Sequence, residues 1–374
     1  MLATMICAAC HQAAPSDAFR WRCACGGPYD LETTATFPRN ALRDRPQSLW
    51  RYREALPLAP GCEVVSLGEP VTPLFPWPSL PGAHLKLEFL FPTGSFKDRG
   101  ACVMLTHMKG LGIQKAVEDS SGNAAAAVAA YAARAGIACR IFVPASASSG
   151  KLAQIAAYGA DLAPIAGTRE DVAAAARREA ERSYYASHVF NPYFFQGTKT
   201  FAFEIWEQLG FRAPDQLILP VGHGTLYLGA YFGFRELLKA GEIPRLPRLL
   251  GIQAEPCAPI AAAWQGRLPG GPGTTIAEGI RIAAPDRAQS ILRACRETDG
   301  EFLTVSEAEI ISALLGLGRA GLYVEPTAAV APAGALKLAA AGRLPAQGIT
   351  VIPLTGSGLK AGHAIAELLK HKPA

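Results

Sequence analysis

No apolar run in this 374-residue chain reaches the length a bilayer requires, because Gly, Pro or a charged residue breaks every strongly hydrophobic window. A membrane span is therefore not expected. The first residues, Met1 to Cys10, lack both a basic start and an apolar core, so no signal peptide is read there and a soluble, cytoplasmic protein is expected. Charge is sparse: Asp, Glu, Lys and Arg make up 18% of residues and the net charge is +5, with no Lys/Arg run. That argues against a nucleic-acid tract and leaves a mild preference for anionic ligands. The basic stretch around Arg39–Arg53, with Asp44 and Glu54 among it, reads as a solvated surface rather than a nucleic-acid face. Short repeats and low-complexity tails are absent too. The nine cysteines are an odd number, and five of them stand singly in core-like segments, which fits a reducing compartment better than a disulfide framework.

Half of the residues are hydrophobic, enough for a sizeable core in one large domain or two interlocked ones. A short cysteine-dense segment runs from Met1 to about Glu32. Between Phe37 and Pro81 prolines such as Pro57, Pro60, Pro73 and Pro78 are too frequent for regular elements, and irregular wrapping chain is expected. From Ala83 the pattern becomes strand, Gly-containing turn, helix, repeated. Strands are expected at His84–Phe89, Lys115–Asp119, Ala138–Val143, Gln216–Val221, Leu249–Ala254 and Ile349–Leu354. Ala-rich helices alternate with them at Ala124–Ala135, Ala173–Arg182, Leu226–Lys239 and Ala328–Ala341. Such alternation predicts an α/β fold of open, mostly parallel sheets covered by helices.

Parallel sheets put ligands beyond the carboxyl ends of their strands, where loops enter helices. Four such loops carry unusual residues. The first, Pro92-Thr93-Gly94-Ser95-Phe96-Lys97-Asp98-Arg99-Gly100, sets Lys97 at a helix start. A cation is electrostatically misplaced there, and the same field favours the neutral, nucleophilic amine. The ordinary reading, a solvated lysine beside Asp98, competes with this. The second loop, Ser120-Ser121-Gly122-Asn123, offers a donor and an acceptor at Asn123, or simply an N-cap. The third is Gly222-His223-Gly224-Thr225-Leu226, where glycines clear space around backbone N–H groups that can cradle a phosphate. It lacks the Gly-Lys-Ser/Thr of a Walker loop, and its next glycine, Gly229, comes too late for a dinucleotide fingerprint. The fourth, Thr355-Gly356-Ser357-Gly358, supplies hydroxyls where a ligand ring could end, or an ordinary turn.

In this order the loops resemble the fold-type II pyridoxal-phosphate enzymes, most closely the threonine synthase-like family. Ser121-Gly122-Asn123 with Ala129–Gly136, Gly150–Gln154, Asn191-Pro192-Tyr193, Lys199-Thr200 and Glu325–Ala329 extend the match over roughly residues 65–365. The resemblance implies pyridoxal 5′-phosphate as cofactor and Lys97 as the catalytic, Schiff-base lysine. It implies Asn123 at the pyridoxal 3′-oxygen, Gly222, His223, Gly224, Thr225 and Leu226 around the phosphate, and Thr355 at the pyridine nitrogen. Ser95, Ser121 and Lys151 are the implied substrate-binding residues; Lys151 and Arg99 are candidates for an anionic group, with surface or structural ion pairs as the equal alternative. The implied reaction converts O-phosphohomoserine, or a related activated amino acid, to threonine and phosphate. The implied domains are 35–92 with 191–374 as the large cofactor-binding domain and 93–190 as a small mobile one, with a homodimer as the assembly to test for.

The chain departs from the family pattern at the phosphate loop, usually Gly-Asn-Ala-Gly-Asn, and at Phe91, Thr198 and Ala361, where Asn, Gln and Asp are usual. These changes spare the cofactor residues and leave the substrate open. A serine/threonine dehydratase or β-replacement enzyme is the alternative, and a non-catalytic ligand-binding homologue is one from another class. At the N-terminus, Cys7-x-x-Cys10 and Cys23-x-Cys25 followed by Gly26-Gly27 offer four thiolates in a zinc-ribbon-like knuckle over 1–34. A structural zinc is expected, with free thiols or substitution of a ligand by His11 as the alternatives.

Overall fold

A computed structural model describes residues 3–16, 20–147, 149–268, 270–271, 273–345 and 347–370, with the backbone alone for 149–151. These form two compact units, Met1–Val71 with Lys97–Thr200, and Thr72–Phe96 with Phe201–Ala374. No helix among the described residues is long and apolar enough to cross a membrane.

The first unit holds a four-stranded parallel sheet in the order Asp161–Ile165, Ala138–Pro144, Lys115–Glu118, Tyr184–Tyr185. The helices Lys97–Gly110 and Asn123–Ala135 belong to its core, with Cys102, Met104, Leu105, Ala127, Val128 and Tyr131 fully buried. The run of alanines in the second helix lets the two helices approach closely while keeping high helix propensity. Glycine ends that helix: Gly136 takes a left-handed conformation, φ 72°, and its N–H donates to Ala132 and Ala133 carbonyls. The N-terminal segment adds a three-stranded antiparallel sheet, Ala13–Pro15, Thr4–Cys7 and Tyr29–Glu32. Too small to enclose a core of its own, it buries Met5, Tyr29 and Leu31 in the same cluster as Val103 and Phe194.

The second unit is built on a six-stranded sheet ordered Glu301–Val305, Arg248–Ala254, Gln216–Pro220, Thr350–Pro353, Ala83–Lys86, Leu74–Pro76, parallel except for the last pair. Both faces are covered, and the central strands Gln216–Pro220 and Thr350–Pro353 are buried throughout, each apolar after its first residue. The helix Pro326–Ala340 starts on a proline at its first turn, where the missing N–H costs no intrahelical bond.

Differences from the sequence expectations have local causes. The strand expected over His84–Phe89 stops at Lys86, since Leu87 donates to the Pro73 carbonyl and Glu88–Leu90 coils into a 3-10 turn. The helix expected at Ala173–Arg182 begins earlier, at Arg169, because Thr168 and Asp171 form a capping box. A second box, Ser306 with Glu309, starts the unanticipated helix Glu307–Arg319. The proline-rich stretch holds only Arg39–Asp44, the 3-10 segment Leu49–Ala55 and the strand Leu74–Pro76. Residues 35–71 and 191–200, assigned from sequence to the larger domain, lie in the first unit, where Leu49, Leu56, Val65, Tyr193 and Phe194 join its core.

One core contact makes stability pH-dependent. His107 is 7% exposed and stacks on Tyr193 with ring centroids 3.4 Å apart, and burial holds its imidazole down to about 4. The folded value lies below the ordinary one near 6.5, so the contribution is fully present above about pH 6.5 and lost as pH falls towards 4. Chemical denaturation at pH 7 and pH 4.5 should therefore show an acid loss smaller by about 2–3 kcal/mol in His107→Phe than in the unaltered protein. Equal losses in the two would contradict the assignment.

Candidate active site

The second unit's sheet reverses its strand order between Gln216–Pro220 and Thr350–Pro353: later strands continue on one side of Gln216–Pro220, and the last one returns on the other. Open α/β sheets bind ligands outside the carboxyl ends at such a switch point. Two of the sequence-derived loops emerge there. After Pro220 the chain runs through Gly222, His223 and Gly224 into the helix Thr225–Lys239. Gly224 is left-handed at φ 75°, the helix has neither a side-chain cap nor an acidic residue in its first turn, and its ladder opens with Leu228 donating to the Gly224 carbonyl. The N–H groups before Leu228 have no intrahelical acceptor, the condition under which a helix start binds a phosphate.

The glycines of this loop have a reason that the sequence did not show. A Cβ on Gly222 would lie 2.9 Å from Ile280 Cα, and one on Gly224 would lie 2.5 Å from Ile291 Cδ1. They let the loop pack against its own unit; the expectation that they clear space for a phosphate does not describe where their missing side chains point.

Beyond Pro353 the other loop places Thr355, 2% exposed. The segment Thr93–Phe96 is stapled to it: Phe96 N–H donates to the Thr355 carbonyl at 3.1 Å, Ser357 N–H to Gly94 at 2.9 Å, and Lys360 Nζ to Thr93 at 2.8 Å. The hydroxyls of Thr355 and Ser95 are both buried and have no hydrogen-bond partner among the described residues. Buried hydroxyls are rarely left so, and two at a switch point beside an uncapped helix start fit a polar ligand that carries a phosphate. These residues fit a phosphate-bearing polar cofactor such as pyridoxal phosphate.

In the first unit Lys97 is the first residue of its helix, as the sequence implied, and is half-buried with Nζ 5.8 Å from the Phe194 ring centroid. That helix start is fixed by close packing, since a Cβ on Gly100 would lie 2.4 Å from Phe194 and one on Gly197 would strike the Arg99 carbonyl. Arg99 is fully buried and donates to Thr200 Oγ1 at 3.0 Å, the structural alternative weighed from sequence. Asn123 begins the helix Asn123–Ala135, but the N-cap position is Gly122, so the ordinary N-cap alternative does not hold. Ser121 is half-buried in the same loop, where Ser120 Oγ accepts from Gly122 N–H. Lys151 lies on the helix Ser149–Ala157, and its side chain falls outside the described residues.

A group that sequence reasoning missed stands where the first sheet reverses order, between Lys115–Glu118 and Tyr184–Tyr185. Glu118 Oε1 and His188 Nδ1 are 2.6 Å apart, and Asp119 accepts from Arg169 and from the Tyr185 hydroxyl, each at 2.8 Å. Two adjacent carboxylates ending an apolar strand were the available signal, because carboxylates are seldom buried without partners.

At the N-terminus the four expected cysteines meet: the Sγ atoms of Cys7, Cys10, Cys23 and Cys25 all lie within 4.8 Å of one another, with 3.5 Å between Cys7 and Cys25 and 3.6 Å between Cys10 and Cys23. His11 is not in the group. Gly27 permits the approach, since a Cβ there would lie 2.8 Å from Cys7 Sγ. Four sulfurs bound tetrahedrally to zinc at about 2.3 Å would stand about 3.8 Å apart, and the cluster fits that spacing.

Comparison with known proteins points to the same class of cofactor. The family model described as pyridoxal-phosphate dependent enzyme matches residues 65–356. A threonine synthase of Methanocaldococcus jannaschii is 35% identical over 95% of this chain and 92% of its own length. One of Mycobacterium leprae is 39% identical over 83% of this chain and 87% of its own. Among solved structures, a fungal L-serine ammonia-lyase from Rhizomucor miehei superposes with a TM-score of 0.71, covering 83% of this chain and 99% of that one at 22% identity, a likeness of fold. With the family model spanning most of its length and threonine synthases aligned over more than four fifths of both chains, the chain belongs to the pyridoxal-phosphate dependent enzymes, as a lyase of the threonine synthase-like, fold-type II family.

Proposed function

We propose that this enzyme converts O-phosphohomoserine, or a closely related activated amino acid, to threonine and phosphate. The observation that carries the reading is the pair of buried, unpartnered hydroxyls of Thr355 and Ser95 beside the uncapped helix start at Thr225. The cofactor, when bound, supplies an electron sink that stabilises negative charge at the substrate Cα and lets a side-chain group leave. Gly222, His223, Gly224, Thr225 and Leu226 hold its phosphate, and Asn123 donates to its ring oxygen. Thr355 meets the ring nitrogen with a neutral hydroxyl, which does not hold a proton there as a carboxylate would. That tempers the sink and favours elimination and replacement at the β or γ carbon. Lys97 is the residue that would hold the cofactor, and its amine would take up and return the protons that the reaction moves at the substrate. Ser95 and Ser121 would bind the substrate.

A substrate panel tests this, with free phosphate and keto acid measured in parallel. Stoichiometric phosphate and threonine from O-phosphohomoserine are expected. Keto acid from serine or threonine, with no phosphate release from O-phosphohomoserine, would replace this reading by the dehydratase one.

Cys7, Cys10, Cys23 and Cys25 bind one structural zinc in this proposal; four thiolates leave no open position for catalysis. Metal analysis should find one zinc per chain. Cys10→Ser should lose it and lower the melting temperature while the cofactor's visible band persists. Clearly substoichiometric zinc in chelator-free preparations would contradict the assignment.

A further inference from the structure

The Glu118–His188 pair has no part in the reaction as described, yet its surroundings connect it to Lys97. Both residues are buried, Glu118 completely and His188 to 5% exposure. Their 2.6 Å contact closes the carboxyl-end switch point of the first unit's sheet, immediately before the loop Ser120–Asn123. The His188 and Phe194 ring centroids are 6.1 Å apart, and Lys97 Nζ is 5.8 Å from the same Phe194 ring. Phe194 is itself held against the first turn of the lysine's helix at Gly100. The pair and the amine thus share one aromatic neighbour, and the Lys97 charge acts on both Glu118 and His188.

We propose that Glu118 and His188 are a positioning pair that carries one proton between them and thereby sets the charge faced by the Lys97 amine. The proposal rests on the reading of Lys97 as the cofactor lysine. Charged groups face the pair from every element around it. Arg169 approaches from the helix Arg169–Glu179, Asp119 from the residue after Glu118, the Tyr185 phenol from the neighbouring strand, the Cys139 thiol from Ala138–Pro144, and Lys97 from its own helix. Arg169 and Asp119 form an ion pair and offset each other, so the local balance follows the protonation of Glu118 and His188. Burial disfavours both charged forms, pushing the Glu118 carboxyl up to about 8 and the His188 imidazole well below its usual value. With its proton the pair is neutral overall. When the proton leaves to solvent at alkaline pH, an anion remains close to Lys97 and favours positive charge there.

The test is a pH titration of the visible band of the holoenzyme. In Glu118→Gln the anion cannot form, so the alkaline limb of the band should fall about one pH unit below that of the unaltered protein, the size of one unit charge acting at an effective dielectric near 20. Coincident limbs, or a limb moved upward, overturn the proposal. A second measurement needs no variant: the 15N signals of His188 in the holoenzyme should stay those of a neutral imidazole from pH 5 to 7 and change on the same alkaline step as the band. Ordinary titration of His188 near 6.5, independent of the band, overturns it equally. A band lost in Lys97→Ala but indifferent to Glu118→Gln removes the pair and keeps the lysine. A protein that shows no band with added cofactor removes both.

Discussion

Lys97→Ala is expected to leave a folded protein with no visible cofactor band and turnover reduced by at least about a thousandfold. The side chain is asked to do three things: bond the cofactor, take the Cα proton, and return protons. Loss of a positioned acid–base group alone typically costs between a hundred- and ten-thousandfold, and loss of the covalent anchor adds to it. Lys97 is half-buried at the start of its helix, so the truncation should disturb folding little. Lys97→Arg would keep the charge but should not restore the band, since the guanidinium stays protonated and does not attack a carbonyl. The absorbance spectrum with and without added pyridoxal phosphate, read beside a thermal melt, checks both parts. A full-strength band in Lys97→Ala would move the cofactor to another lysine.

Glu204→Ala is expected to be the most destabilising single substitution considered, lowering unfolding free energy by about 3–5 kcal/mol. Lys86 and Glu204 are both fully buried in the second unit, 2.7 Å apart. The ammonium also donates to the Thr72 carbonyl at 2.6 Å and to Gln208 Oε1 at 2.8 Å, while the Thr72 hydroxyl donates to Glu88 at 2.8 Å. Removing the carboxylate takes away the counter-charge 2.7 Å from a buried ammonium, and much of the attraction that offsets its desolvation is lost. Replacing both partners by apolar residues of similar size removes both desolvation costs. Lys86→Met with Glu204→Leu should therefore be less destabilised than the sum of its single changes, by at least about 1 kcal/mol. Urea unfolding of the four proteins measures this. Additive single effects would mean that the two charges do not interact. Because Lys86 ends the strand that leads to Ser95, the double variant also shows whether that network is needed for activity or only for stability.

The sequence carried the local part of this structure well. The strand-to-helix loops at 92–100, 120–123, 222–226 and 354–358 were readable because glycine, proline and capping chemistry act within a few residues. The helices Asn123–Ala135, Thr225–Lys239 and Pro326–Ala340 start and stop within two residues of where alanine runs and apolar periodicity put them. The cysteine spacing also predicted a four-sulfur group, which the turns around Cys7 and Cys23 assemble.

Residue order alone could not give what depends on which strands become neighbours. Nothing in the apolar run Gln216–Pro220 says that it lies beside Thr350–Pro353, yet that adjacency makes a switch point of the loops carrying Gly224 and Thr355. Glu118 meets His188 across 70 residues and Lys86 meets Glu204 across 118, and both encounters follow from long-range packing rather than from any local pattern. The N-terminal knuckle was likewise legible as a ligand set but not as part of a larger core, because a sheet of three short strands reveals its apolar face without revealing what covers it. Sequence by itself thus determined the chemical groups and the turns that present them, since those are set by short-range sterics and hydrogen bonding. Tertiary structure alone decided which buried charges meet, because desolvation requires a partner and only the order of the sheet brings one within reach.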